Sequence, residues 1–128
     1  MRRLGITLFG IALAACRPSQ PALNANPLAL PDVVHTTVGP IPVVLVDTLS
    51  VADTTAYVMG RFSYKVRTIY LRREITDPIQ RLKTLYHELC HVEVIESGLY
   101  NHIPHDVGEL LCDTFASNRV AALLRGKP

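Results

Sequence analysis

The chain has no hydrophobic run long enough to cross a membrane as a helix, no surplus of charge in its body, no internal repeat and only three cysteines in 128 residues. A transmembrane helix takes about 20 consecutive apolar residues. Residues 4–15 form an apolar or small-residue run of twelve that stops at Cys16 and the polar Arg17-Pro18-Ser19-Gln20. The formal net charge of +2 belongs to Arg2 and Arg3, since setting them aside from the thirteen basic residues leaves eleven against eleven acidic ones. A nucleic-acid partner requires a basic patch or stripe that neutralises phosphates, so none is expected. What is present, 48% hydrophobic and 19% charged residues, fits a single small globular domain.

The cationic start Met1-Arg2-Arg3 followed by the short apolar run has the form of a secretory signal. Its end, Leu13-Ala14-Ala15-Cys16, resembles the lipobox of bacterial lipoproteins. That resemblance implies a signal peptide over residues 1–15, lipidation of Cys16 and an exported domain anchored by lipid to a bacterial membrane, in the periplasm or outside the cell. Six of the nine prolines fall between Pro18 and Pro42, so residues 16–40 read as a lipidated cysteine and an extended tether, with the folded domain over residues 41–128.

Within that domain Val43-Val44-Leu45-Val46 suits a buried strand, residues 55–59 and 62–71 suit two more, and Gly60-Arg61 reads as the turn between them. The charged start of residues 65–71 marks that strand as an edge. Asp77-Pro78-Ile79-Gln80 announces a helix, with Asp as N-cap, Pro at the first position and Gln placed for a capping box, and Gly98 ends it. Leu82, Leu85, Leu89 and Val92 recur at three- and four-residue intervals and define its core face. A second helix is expected from about Asp106 to Leu124, with Leu111, Phe115 and Ala122 on its apolar side and Gly126 beyond its end. The fold class is therefore α+β, with a short sheet of about three strands and two helices.

His87-Glu88-Leu89-Cys90-His91 lies midway along the first helix. Residues four apart sit one above the other, about 5 to 6 Å between Cβ atoms, so His87 and His91 can converge on one metal ion. Two neutral imidazoles holding Zn²⁺, with Glu88 beside them to take a proton from the water that the metal polarises, is the arrangement of hydrolytic zinc sites. The bland alternative is two surface histidines and a glutamate on an amphipathic helix. A catalytic zinc needs a third protein ligand, and Glu109, His102, His105, Asp106, Cys112 and Asp113 are all candidates. Glu109 follows after a turn and would return on the second helix. Asp113, one helical turn later, would accept a hydrogen bond from a ligating histidine. Glu109 has a competing role as part of a capping box that starts at Asp106.

Thr84-Leu85-Tyr86-His87-Glu88-Leu89-Cys90-His91 and Gly108-Glu109-Leu110-Leu111-Cys112-Asp113-Thr114-Phe115-Ala116 together resemble the gluzincin metallopeptidases, particularly the compact ImmA/IrrE-like domains, over residues 43–124. The resemblance implies a zincin-like fold, one zinc held by His87, His91 and Glu109, Glu88 as general base, Asp113 in support and a peptide or protein substrate. Cys90 stands where many relatives carry glycine, and the segment from His91 to Glu109 is shorter than in many of them.

Tyr100, His102 and His105 are the nearby candidates for stabilising the oxyanion of a tetrahedral intermediate. The strand over residues 67–71 is the candidate edge for an extended peptide, its alternative role being an edge kept soluble by Arg67, Arg72 and Arg73. Cys90 and Cys112 are open to three readings: small buried side chains, a disulfide between the two helices, or metal ligands. The function expected is a zinc-dependent hydrolase, a lipid-anchored peptidase. The alternative is a zinc-stabilised binding or assembly lipoprotein without turnover.

Overall fold

The computed structural model describes residues 26–49 and 58–126. The signal segment, Cys16, the first part of the tether and most of the strand expected over residues 55–59 lie outside them. The described elements are strands β1 (Val33–Thr36), β2 (Gly39–Val46), β3 (Gly60–Ser63) and β4 (Thr68–Arg72), helix α1 (Pro78–Glu96), a single 3₁₀ turn (Leu99–His102) and helix α2 (His105–Leu124). The architecture is α+β: a four-stranded mixed sheet in the order β1-β2-β4-β3, with α1 against β3 and β4 and α2 packed on α1.

β1 lies inside the proline-rich stretch read as tether. Proline is tolerated on edge strands and at strand starts, and β1 is an edge that closes on β2 as an antiparallel hairpin, from Val33 opposite Pro42 to Thr36 opposite Gly39. Gly39 takes a φ of 115° there, a conformation that glycine adopts without steric cost. β2 then pairs in parallel with β4, from Val43 beside Ile69 to Val46 beside Arg72. The expected buried strand over residues 43–46 is buried on one face only: Ile41 and Val43 point into the core while Val44 is exposed. Such alternation belongs to a sheet with one face covered.

Two expectations about the next strands are corrected. Gly60-Arg61 is not a turn. Both residues belong to β3, and the chain reverses at residues 64–67, where Arg67 takes a left-handed φ of 47°. The strand over residues 67–71 is not an edge, because β4 lies between β2 and β3, its Thr68, Ile69 and Leu71 buried. Among the described residues β3 is the edge on that side. The arginines beside β4 are engaged in ion pairs: Arg67 with Glu96 at 2.7 Å, Arg72 with Glu74 at 2.8 Å and Arg73 with Asp47 at 2.9 Å.

α1 begins and ends where its local signals place it. The Asp77 side chain accepts from the Ile79 N–H at 3.0 Å, Pro78 occupies the first turn, and Gly98 follows the helix with a φ of 76°. Leu82, Leu85 and Val92 are buried with Ile41, Phe62, Ile69 and Leu71 in the main core, and Leu89 packs against them. Full burial of a Leu or Val side chain contributes roughly 1.5 to 3 kcal/mol, so this stripe supplies much of what fixes α1 under the sheet.

α2 departs from expectation in two ways. Its N-cap is Pro104, without a side-chain cap, and Asp106 lies in the first turn. The capping box from Asp106 to Glu109 is therefore not formed. The buried face is Cys112, Ala116 and Val120, while Leu111 and Phe115 are exposed. Against a neighbouring helix the small Cys and Ala side chains permit close approach, and the bulkier Leu and Phe are left on the solvent side. Cys90 and Cys112, with Cα atoms 5.3 Å apart, form a disulfide that joins α1 to α2, so they are neither free thiols nor metal ligands.

Candidate metal centre

His87 and His91 project from successive turns of α1 toward α2, where Glu109, one turn into that helix, meets them. The His87 and His91 Nε2 atoms are 2.9 Å apart, with Glu109 Oε2 3.3 Å from the first and Oε1 3.2 Å from the second. Four ligands arranged tetrahedrally about zinc at 2.0 to 2.2 Å stand about 3.3 Å from one another. The two imidazole nitrogens lie at or just below that spacing from each other and from the nearer oxygen of Glu109, which meets each ring through a different oxygen, and these residues can hold a metal ion.

The partners of the two imidazoles suit ligation. Asp113 Oδ1 lies 2.8 Å from His87 Nδ1. With the hydrogen on Nδ1 donated to that carboxylate, His87 would turn its Nε2 lone pair to the centre. Burial holds His91 below the ordinary imidazole range, against a smaller opposing pull from Glu109, and this favours the neutral ring that a metal requires. His91 Nδ1 faces Cys112 Sγ at 3.8 Å, so the disulfide abuts the second histidine.

Glu88 lines the same cleft as His87 and His91, and its Oε2 accepts the Phe62 N–H of β3 at 3.0 Å. Burial pushes its carboxyl up to about 7, and Glu109 adds to the rise, while His87 and the Phe62 N–H oppose it. A carboxyl with this property is half-ionised near neutrality, where a proton can be exchanged in both directions.

The centre opens into a cleft of about 1040 Å³ between β3, α1 and α2. Tyr100 and His105 line it; His102, exposed on the 3₁₀ turn, does not. His105 Nε2 is 3.9 Å from Glu109 Oε1, and its side chain is 81% exposed. Among the remaining candidates for third ligand, Asp113 bonds to His87, Asp106 is exposed on the first turn of α2, and Cys112 is in the disulfide.

Three residues of the cleft were not found by sequence reasoning. Gly60 lets β3 approach α1, Lys83 lies one turn before His87, and Tyr64 follows β3 with its ring edge-on to Phe62 at 4.9 Å. Burial, then Tyr100, Glu88 and Glu96, raise the Tyr64 phenol above its ordinary value, so it is held as a hydrogen-bond donor. Lys83 was within reach of periodicity, being four residues before His87 on a helix. Tyr64 had no local signal, because only the antiparallel return of β3 onto β4 brings it to the cleft.

No family model, curated protein or solved structure matches the chain.

Proposed function

We propose that the chain is a zinc-dependent peptidase of gluzincin type, with His87, His91 and Glu109 as ligands and Glu88 as general base. The observation that carries this reading is the convergence of the His87 and His91 Nε2 atoms, 2.9 Å apart, with the Glu109 carboxylate, whose two oxygens lie 3.3 and 3.2 Å from them, and a carboxyl that titrates near neutrality on the same helix. Zinc, when bound, supplies a Lewis acid that acidifies water and polarises an amide carbonyl.

The chain's own residues do the rest. Glu88 takes the proton of the attacking water and delivers it to the leaving nitrogen, so hydroxyl joins the acyl carbon as the C–N bond breaks. Asp113 orients His87. Tyr64, Tyr100 and His105 are the donors available to a developing oxyanion. β3 is a short edge whose outer side faces the cleft, and an extended peptide adding to it would gain backbone hydrogen bonds.

The same reading places the domain outside the cytoplasm, tethered through lipid on Cys16 to a bacterial membrane. The Cys90–Cys112 disulfide supports an oxidising compartment. Among the described residues no helix is long and apolar enough to cross a membrane.

The test uses full-length protein purified without a histidine tag. Elemental analysis is expected to find about one zinc per chain, the stoichiometry of a three-ligand site; protein that takes up no zinc when supplied with it would end this reading. Glu88→Gln should retain zinc and lose hydrolysis by a factor of about 10² to 10⁴, the range for general acid–base catalysis. A second reading, a zinc-stabilised binding lipoprotein, draws on the bond from Phe62 to Glu88, which gives that carboxylate a structural role. Glu88→Gln with undiminished cellular function would favour it.

A further inference from the structure

The cleft has two chemically different ends. Toward the C-terminal half of α1 it is walled by Tyr64, Tyr100 and Ile95, with Glu96 nearby and bound to Arg67. Toward the start of α1 the side chains are Gln80, Lys83 and, across the cleft on α2, Ser117. All three can donate hydrogen bonds. Lys83 is partly buried and makes no ion pair among the described residues. The nearest acidic lining residue on α2, Asp113, is bonded to His87. A lone ammonium on a helix face normally reaches into bulk water; this one lines the cleft that holds the candidate centre, four residues before the first histidine ligand.

The direction of β3 decides which end of a peptide would meet that ammonium. Gly60 lies over Thr84 and Glu88, the Phe62 N–H meets Glu88, and Arg67 beyond the turn reaches Glu96. β3 therefore runs parallel to α1. Antiparallel pairing is the more stable form of strand addition, and a peptide paired antiparallel to β3 runs against α1, with its C-terminus toward Lys83. Lys83 is about 6 Å before His87 along the helix axis at 1.5 Å per residue. An extended peptide covers that distance in about two residues.

We propose that Lys83, assisted by Gln80 and Ser117, is a carboxylate-binding subsite that selects substrates with a negative charge one or two residues C-terminal to the cleaved bond. The proposal rests on the peptidase reading and names its substrate class: peptides whose free C-terminal α-carboxylate falls at that place, or peptides with Asp or Glu there. The first source makes the enzyme a trimmer of chain ends and the second an endopeptidase at acidic sites.

The test is a degenerate tetrapeptide pool in three forms: free acid, C-terminal amide without Asp or Glu, and C-terminal amide with Glu fixed at the last or next-to-last position. Zinc-loaded full-length protein is assayed for cleavage by mass spectrometry. Binding of the same pools, fluorescently labelled, is measured on the zinc-loaded Glu88→Gln variant. Amidation without an acidic residue is expected to weaken binding about tenfold to a hundredfold, the range of a charge-assisted hydrogen bond. Lys83→Ala should remove that difference and Lys83→Glu should reverse it, both with zinc content unchanged.

Recovery by the Glu-containing amides identifies a side-chain carboxylate as sufficient; binding of the free acid alone identifies the α-carboxylate. Equal cleavage and binding of all three pools, unaltered by Lys83→Ala, would overturn the subsite and leave the peptidase standing. Cleavage of no pool by zinc-loaded protein, with no binding to Glu88→Gln, would remove the peptidase reading and this proposal with it.

Discussion

Glu88 is held between opposing influences, and its titration makes them measurable. Its folded value of about 7 exceeds the ordinary 4.5 because burial disfavours the charged form. A carboxyl raised by folding contributes stability that is fully present below its unfolded value and is lost as pH rises through the folded value. In chelator-treated protein the loss should therefore run from about pH 4.5 to about pH 7 and be complete above, amounting to about 3 kcal/mol for this shift. Glu88→Gln, neutral throughout, should match the parent near pH 4 and exceed it in chemical denaturation at pH 8; equal midpoints at pH 8 would show that the carboxylate is not penalised. Asp113 makes the opposite kind of contribution, through orientation. Asp113→Ala removes the 2.8 Å partner of His87 Nδ1, and metal affinity should fall about 10- to 100-fold, measured by competition with a chromophoric chelator, with the circular dichroism spectrum unchanged.

Strand β3 and the histidine-bearing helix α1 meet at a glycine. A methyl group added at Gly60 would stand 2.7 Å from Thr84 Cγ2 and 3.1 Å from both Glu88 Cγ and Leu71 Cδ2. Thr84 is buried and its hydroxyl is bonded to the Gln80 carbonyl at 2.9 Å, so it has little freedom to yield. Gly60→Ala should cost about 1 to 3 kcal/mol, as overpacked cores do, and should separate β3 from α1, weakening the Phe62–Glu88 bond; thermal melts and the pH profile of hydrolysis would both register it. The same contact explains why Gly60 reads as a turn from sequence: glycine marks turns and close approaches alike, and only the packing of β3 on α1 distinguishes them. α1 was legible from Asp77, Pro78 and Gly98 because caps are local signals, and the histidine pair was legible because it lies within one helix. β1 was missed because a four-residue strand among prolines has no periodicity of its own. The central place of β4 was missed because it depends on parallel pairing with β2, whose partner residues are 26 positions away in the chain. On α2 the Leu and Phe pattern pointed to the wrong face, since neighbouring helix packing favoured Cys112 and Ala116.

Across the whole molecule the candidate ligands are divided between two helices, so the site exists only while α1 and α2 keep their relative placement. The disulfide enforces that placement beyond ordinary packing, and a bound metal would add a second link. The disulfide joins Cys90, adjacent to His91, to Cys112, three residues after Glu109; a metal would join His87 and His91 to Glu109. Both links favour the same folded arrangement over the unfolded chain, so each should strengthen the other. A disulfide closing a segment with a sequence separation of 22 contributes about 3 kcal/mol in the chain-entropy account. A metal that binds only the folded form adds about 4 kcal/mol at a concentration a thousand times its Kd. Cys90→Ala combined with Cys112→Ala, or reduction by a phosphine that does not compete for zinc, should therefore lower the melting temperature, and saturating zinc should restore part of the loss. The affinity for zinc should fall as well, because part of the binding energy must then order the helix pair. A lower melting temperature with unchanged zinc affinity would show that apolar packing alone positions Glu109, with the disulfide acting only on the unfolded chain. A loss of both would make the metal site dependent on the redox state of the compartment, binding zinc well only after the two cysteines have been oxidised.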